Sequence, residues 1–311
     1  MPMTPKQRAV AALTCKIPDQ VPTFELEFQL TQEFMGKDYL RQKDLEGLSG
    51  SEIDRKLHEN AEFLIELFEK LEYSIIPIHH LSAENMFETA RIIRKLTGDK
   101  YMLTKHGDGT FSVPNGNRMY EFAYRIADDP DGLKEEAETK ANNAIESNKR
   151  AVDAGFDSFI LCADYCYNTG PFLSPAQFRE YITPYLAKII KNIRESGAYA
   201  IKHTDGDIMP ILDQLAECEP HALHSLDPMA RVDIKEVKRL VGDKICLCGN
   251  VNCALMQTGT DEEVIASAEY ALTHGKPNGG YIFSTSNVPF HGLPLERYML
   301  ILDVWKKHRD Y

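Results

Sequence analysis

The chain has 311 residues, with 35 Lys and Arg against 47 Asp and Glu, a formal net charge of −12, and a globular composition of 43% apolar and 26% charged residues. That negative balance argues against any partner held by a basic face, such as a nucleic-acid backbone or an anionic membrane, and no apolar run approaches the ~20 residues that span a bilayer. Seven cysteines, at 15, 162, 166, 218, 246, 248 and 253, lie mostly inside apolar runs and not in a spaced disulfide frame, which with the absence of a hydrophobic signal core near Met1 leads us to expect reduced thiols in a soluble, cytoplasmic protein.

In chain order, a helix is expected from Pro5, then a strand over 21–28, a helix ending near Glu72, a strand over 74–79 and a short strand over 101–104. The stretch 106–131, with Gly107, Gly109, Gly116 and the run Asp128-Asp-Pro-Asp-Gly132, reads as an irregular, elaborated connection. Beyond it a unit recurs in which a helix ends at a glycine or polar turn and a short apolar run follows: 156–162, 199–203, 222–226, 244–248 and 281–284. Such runs suit buried parallel strands. Ser174-Pro175 and the capping box Thr260-Asp-Glu-Glu263 start two of the intervening helices, and Pro294 opens the last. Eight strands alternating with helices predict an α/β fold, a (β/α)8 barrel forming a single domain over 1–311 with an elaborated N-terminal half. No GxGxxG follows a strand, so dinucleotide binding has no support.

In such a barrel the chemistry gathers where strands end. Those ends here are Glu25 and Glu27; His79 and His80; Asp164 and Tyr165; His203, Asp205 and Asp207; His224 and Asp227; Cys248 and Asn250; Ser286, Asn287 and His291. One of each adjacent pair must face away from the interior, and the sequence leaves open which of His79 and His80 it is. Glu25 and Glu27, two residues apart on a strand, share a face: inward they require a metal, a proton or a substrate, outward they are simply solvated. Cys248 is as compatible with a small buried hydrophobe as with a ligand. His203 with Asp205, ahead of Gly206 and a helix from Asp207, is the sharpest local feature, and its plainer alternative is a helix cap with a satisfied histidine.

The blocks FDSFILCADY, GPFLSPAQFREYITPYLAKII, KHTDGDIMPILD, HSLDP, VGDKICLCGNVN and GGYIFSTSNVPFHGLPLERY, in this order from Phe156 onward, resemble the uroporphyrinogen decarboxylase superfamily. The resemblance implies a (β/α)8 barrel, a homodimer, and either porphyrinogen decarboxylation or methyl transfer involving a corrinoid protein. Decarboxylases of the family carry an arginine-rich motif in the first loop for a substrate with eight carboxylates; the matching stretch here, FELEFQLTQEFMGKDY, has no arginine and adds acids, which repel anions. The catalytic aspartate of that branch is absent where this chain reads IPIHH, and its late histidine is replaced by Asn287.

The methyltransferase branch binds zinc through His-x-Cys and a later cysteine. His203 matches the first position, whereas Asp205 and Asn287 stand in place of the two cysteines, a harder donor set that retains Lewis acidity toward oxygen.

These features together give the expectation of a corrinoid-dependent O-demethylase moving a methyl group from a small methoxylated aromatic to a corrinoid supplied by a partner protein. Its expected catalytic residues are His80, Asp164, His203 and Glu27, and its substrate contacts Glu25, His79, Tyr165, Asn250, Asn287 and His291. Zinc or another divalent metal would sit on His203 and Asp205, with Glu27 or Cys248 as further ligands. A decarboxylase acting on a smaller substrate and a non-catalytic binding barrel are the alternatives.

Overall fold

The computed structural model describes residues 2–116 and 118–311. Its strands are β1 (Ile75–Pro77), β2 (Met102–His106), β3 (Ser158–Cys162), the two-residue β4 (Cys166–Tyr167) and β5 (Gly170–Pro171), β6 (Tyr199–His203), β7 (Ala222–Ser225), β8 (Cys246–Val251) and β9 (Tyr281–Thr285). Seven of them form one curled parallel sheet in the order β1-β2-β3-β6-β7-β8-β9, and β4 pairs with β5 as a small antiparallel hairpin. Because parallel neighbours need a crossover, a helix follows nearly every strand: Ala83–Thr97 after β1, Pro130–Asp153 after β2, Thr183–Glu195 after β3, Ile234–Val241 after β7, Asp261–Gly275 after β8 and Leu295–His308 after β9. Sheet and helices meet on a continuous apolar layer that includes Phe159, Leu161, Ile189, Ile201, Leu247, Ile282 and Trp305, all essentially inaccessible.

The expected strand over 21–28 is only partly present. Phe283 N donates to Pro22 O at 2.9 Å, Phe24 N approaches Phe283 O at 3.4 Å, and Ser74 N donates to Thr23 O at 2.8 Å, so residues 22–24 lie between β9 and the chain entering β1. The chain then bends at Leu26. Strand alternation stops there, and Glu25 and Glu27 do not share a face.

Elsewhere the predicted starts hold: Thr4, Ser174 and Thr260 cap their helices through capping boxes, and Leu295–His308 begins after Pro294. The stretch 106–131 is more regular than expected, since Arg118–Asp128 is an α-helix. None of its residues is fully buried; Phe122 and Ile126 pack inward on the core, Phe122 against Phe111 and Phe172. Its apolar residues Met119, Phe122 and Ile126 do follow helical spacing, and it is the flanking glycines and Asp-Pro that give the stretch the look of a loop.

Candidate active site

β6 sets the site by alternation. Lys202, fully buried, points to the helix side, where its Nζ donates to Leu161 O and Ala163 O and pairs with Asp108 Oδ2 at 3.0 Å. His203 points the other way, its Nδ1 2.9 Å from Nδ1 of His224, the register partner on β7. His224 Nε2 in turn lies 3.2 Å from Ser284 Oγ on β9. Burial pushes His203 down to about 3, helped by the charge of Lys202, and pushes His224 well below the usual histidine range, so both rings are neutral at neutral pH.

The outer face of His203 meets two carboxylates. Its Nε2 is 3.6 Å from Asp164 Oδ1 and 3.7 Å from Asp205 Oδ1. One ligand atom from each of the three residues lies within 4.8 Å of the others. Asp205 is held firmly: Ser225 Oγ donates to its Oδ1 at 2.8 Å, Asn287 Nδ2 to its Oδ2 at 2.5 Å, and its own N–H donates to Asp164 Oδ1 at 3.1 Å. Burial raises its carboxyl to about 7, with the charges of Asp164 and Asp227 acting in the same direction. The turn behind it requires Gly206, where φ is +84° and an added Cβ would meet the Cys166 and Tyr167 backbone at 2.7 Å. Ser225 and Leu226 also adopt positive φ, 86° and 49°, an unfavourable geometry for side-chain-bearing residues that carries the Ser225 hydroxyl to Asp205.

A second polar cluster lies at the ends of β1 and β2. His80 Nε2 is 3.1 Å from Glu27 Oε1, a charge contact whose angle leaves that nitrogen without a true hydrogen bond. Burial works to raise the Glu27 carboxyl, but His80 outweighs it and holds the group down to about 2. His79 Nε2 is 2.8 Å from Leu26 O, and its ring stands edge-on to His106 with centroids 4.4 Å apart. Burial, then the charge of His106, takes His79 down to about 3. His106 also lies close enough to His203 to depress its protonation, which links the two clusters.

The structure thus brings Asp164, His203, Asp205 and Asn287 together and sets Glu27 with His80 beside His79. Other expected residues lie elsewhere. Glu25 is sealed: Thr285 donates its N–H at 3.0 Å and its hydroxyl at 2.5 Å to the carboxyl, and burial raises it to about 8. Tyr165 is inaccessible, its hydroxyl 2.6 Å from Thr110 Oγ1 and its ring under Lys202 Nζ at 4.0 Å, so it supports the sheet and does not meet a substrate. Asn250 donates to Leu226 O at 2.8 Å and borders a separate cavity of about 540 Å³ with Arg231, Asp233 and Tyr270. His291 is exposed on the following loop, its N–H 3.3 Å from Gln29 Oε1. Cys248 is buried in register with His224 and, like Glu27, falls outside the group of three converging ligand atoms.

The sequence reading gave no role to Ser225, Ser284 or His106 and assigned none to His224. The signal for His106 was its place after the apolar run at 101–104, in a strand that ends two residues later than expected.

Comparison with known proteins agrees with this architecture. Residues 82–308 match the uroporphyrinogen decarboxylase (URO-D) family, and the chain belongs to that family. A curated uroporphyrinogen decarboxylase of Aromatoleum aromaticum is 27% identical over 177 residues, covering 54% of this chain and 44% of the relative, so the match spans less than half of that protein. Among solved structures, a methyltransferase from Methanosarcina mazei superposes with a TM-score of 0.75 at 16% identity, over 98% of this chain and 99% of that one, a likeness of fold. Among the described residues no helix is long and apolar enough to cross a membrane.

Proposed function

We propose that this chain is a corrinoid-dependent methyltransferase that removes the methyl group of a small methoxylated aromatic and passes it to a corrinoid carried by a separate protein docking over the strand ends. The observation that carries the reading is the convergence of Asp164, His203 and Asp205. Among the described residues no Lys or Arg pairs with Asp164, Asp205, Asp207 or Asp227, whereas a polycarboxylate substrate calls for guanidinium forks.

An imidazole nitrogen and two carboxylate oxygens suit zinc or a similar divalent ion, which would be held by His203, Asp164 and Asp205 and would supply Lewis acidity toward a substrate oxygen. The protein's own part is then positional and protonic. Ser225 and Asn287 fix the Asp205 carboxylate, and His80, beside Glu27, is placed to deliver a proton from its ring. A corrinoid on the partner would supply the nucleophile that accepts the methyl group, while the ether oxygen would keep the C–O electron pair and take the proton that His80 delivers. Under this reading residues 22–24 act as the eighth strand of a (β/α)8 barrel and the protein works as a cytoplasmic homodimer.

Decarboxylation of a smaller substrate is the second reading, favoured by the family match and by the curated relative. The test is the purified chain with a neutral methoxyphenol. It should bind without turnover, and adding a reduced corrinoid protein should give demethylation with loss of the Co(I) absorbance. Demethylation by the chain alone, or decarboxylation of a porphyrinogen at enzymatic rates, would overturn the assignment.

A further inference from the structure

The hydrogen bonds behind His203 fix more than its position. His203 Nδ1 and His224 Nδ1 are 2.9 Å apart, so one carries a proton and the other accepts it. Which one is decided a strand further on. Ser284 Oγ lies 3.2 Å from both Thr285 O and His224 Nε2; the carbonyl can only accept, and with the hydroxyl proton given to it Ser284 Oγ accepts from His224 Nε2. A neutral imidazole has one N–H, and in His224 it is on Nε2. His224 Nδ1 is therefore bare and receives the proton of His203 Nδ1. His203 Nε2 is then a lone pair, facing the carboxylate oxygens of Asp164 and Asp205 at 3.6 and 3.7 Å, beyond hydrogen-bond length.

We propose that Ser284 and His224 are positioning residues that set the tautomer of His203 and so keep its Nε2 lone pair turned toward the seat between Asp164 and Asp205. The inference rests on the reading of that seat as a divalent-cation site. Left to itself, an imidazole facing two carboxylates would place its proton on Nε2 and donate to them. The relay prevents this by giving the Nδ1 proton a buried acceptor, His224 Nδ1, and by leaving His224 no acceptor-side alternative: its other nitrogen is matched to the lone pair of Ser284. All three residues of the relay are buried, so no water competes for these bonds at low cost. The Nε2 lone pair then converges with an oxygen of each carboxyl group, an arrangement that a cation completes by displacing the proton that burial favours on Asp205. Partners behind a ligating histidine commonly fix its tautomer, and their loss weakens metal affinity ten- to a hundred-fold.

The experiment reads tautomers and zinc affinity separately. Long-range proton–nitrogen correlation on 15N-histidine-labelled, metal-free protein should show His203 protonated at Nδ1 and His224 at Nε2. Ser284→Ala should move His203 toward the Nε2-protonated form and raise the zinc Kd about ten- to a hundred-fold in a chelator competition, although Ser284 touches none of the three ligands. Ser284→Thr, which keeps the hydroxyl, should restore both values, and thermal unfolding of each variant checks that the fold is intact. His203 protonated at Nε2 in the metal-free wild type, or zinc bound as tightly by Ser284→Ala as by wild type, would overturn the proposal. A wild type that shows the stated tautomers yet takes up no divalent ion would uphold the relay and overturn the cation reading alone.

Discussion

Asn287 Nδ2 donates to Asp205 Oδ2 at 2.5 Å, joining the loop after β9 to the loop after β6 across 82 positions of sequence. Asn287 therefore acts on the site through a carboxylate, fixing which oxygen of Asp205 faces His203. Replacing Asn287 by Ala should free that carboxylate to rotate and weaken zinc binding by about ten-fold, at the lower end of what such orienting partners contribute. Chelator competition on wild type and Asn287→Ala measures this directly, and equal affinities would show that Ser225 alone suffices to orient Asp205.

A different kind of support stands behind β6. Lys202 is fully buried and pairs with Asp108 while donating to two carbonyls of the β3 end, Leu161 O and Ala163 O, just before Asp164. Removing one partner of such a pair leaves an uncompensated charge in the interior, which costs about 3–5 kcal/mol. Lys202→Met should lose stability of that order in urea unfolding, and the double variant Lys202→Met/Asp108→Asn should recover part of it. Additive losses in the two single variants would mean that the ions do not act as a pair.

How far the site could be read from sequence follows the same division between local and distant determinants. The run 199–203 gave β6 with its ends correct, and the step from Lys202 to His203 inverts the facing, so alternation alone separates the structural lysine from the site histidine. The strand ends at Asp164, Asp205 and Asn287 were legible because parallel strands deliver their ends to one rim. Glu25 was not, since a bend at Leu26 breaks the alternation that would have put it on a face with Glu27. The relay through His224 and Ser284 was hidden for another reason: it depends on the register of β6, β7 and β9, which no single run encodes. The helix Arg118–Asp128 does carry apolar residues at helical spacing, Met119, Phe122 and Ile126, but the glycines before it and the Asp-Pro after it give the stretch the mark of an irregular connection.

The buried Glu25 carboxyl makes stability depend on pH. Its folded value, raised by burial to about 8, exceeds its ordinary value of 4.5, so in the interval between them the folded state holds a proton that the unfolded chain has released. The contribution is thus complete below about pH 4.5 and is lost as pH rises toward 8, at roughly 1 kcal/mol per pH unit. Glu25→Gln keeps the neutral hydrogen-bonding shape and removes the titration. Urea unfolding from pH 5 to 8 should show a steeper decline for wild type than for Glu25→Gln, and parallel slopes would show that Glu25 does not carry a proton in the folded protein.

The two polar clusters at the strand ends should separate under mutation. His203 supplies one of three converging ligand atoms, so His203→Ala removes the imidazole that no neighbouring group can replace, and both bound ion and turnover should disappear. His80 lies outside that group, with Nε2 against Glu27 Oε1 and its ring 5.3 Å from that of Tyr39. A residue in that position can hand on a proton without holding an ion, and loss of a positioned proton donor typically costs 10²- to 10⁴-fold in rate. His80→Gln should therefore retain one equivalent of metal by elemental analysis while methyl transfer to the reduced corrinoid protein slows by about 10²-fold or more. Raising the acidity of the leaving phenol, for instance with a nitro-substituted methoxybenzene, should recover much of the rate in His80→Gln and none in His203→Ala, because only the former lacks a proton that a better leaving group can do without. An unchanged deficit across such substrates would remove His80 from proton delivery and leave it as a partner that holds Glu27 in place.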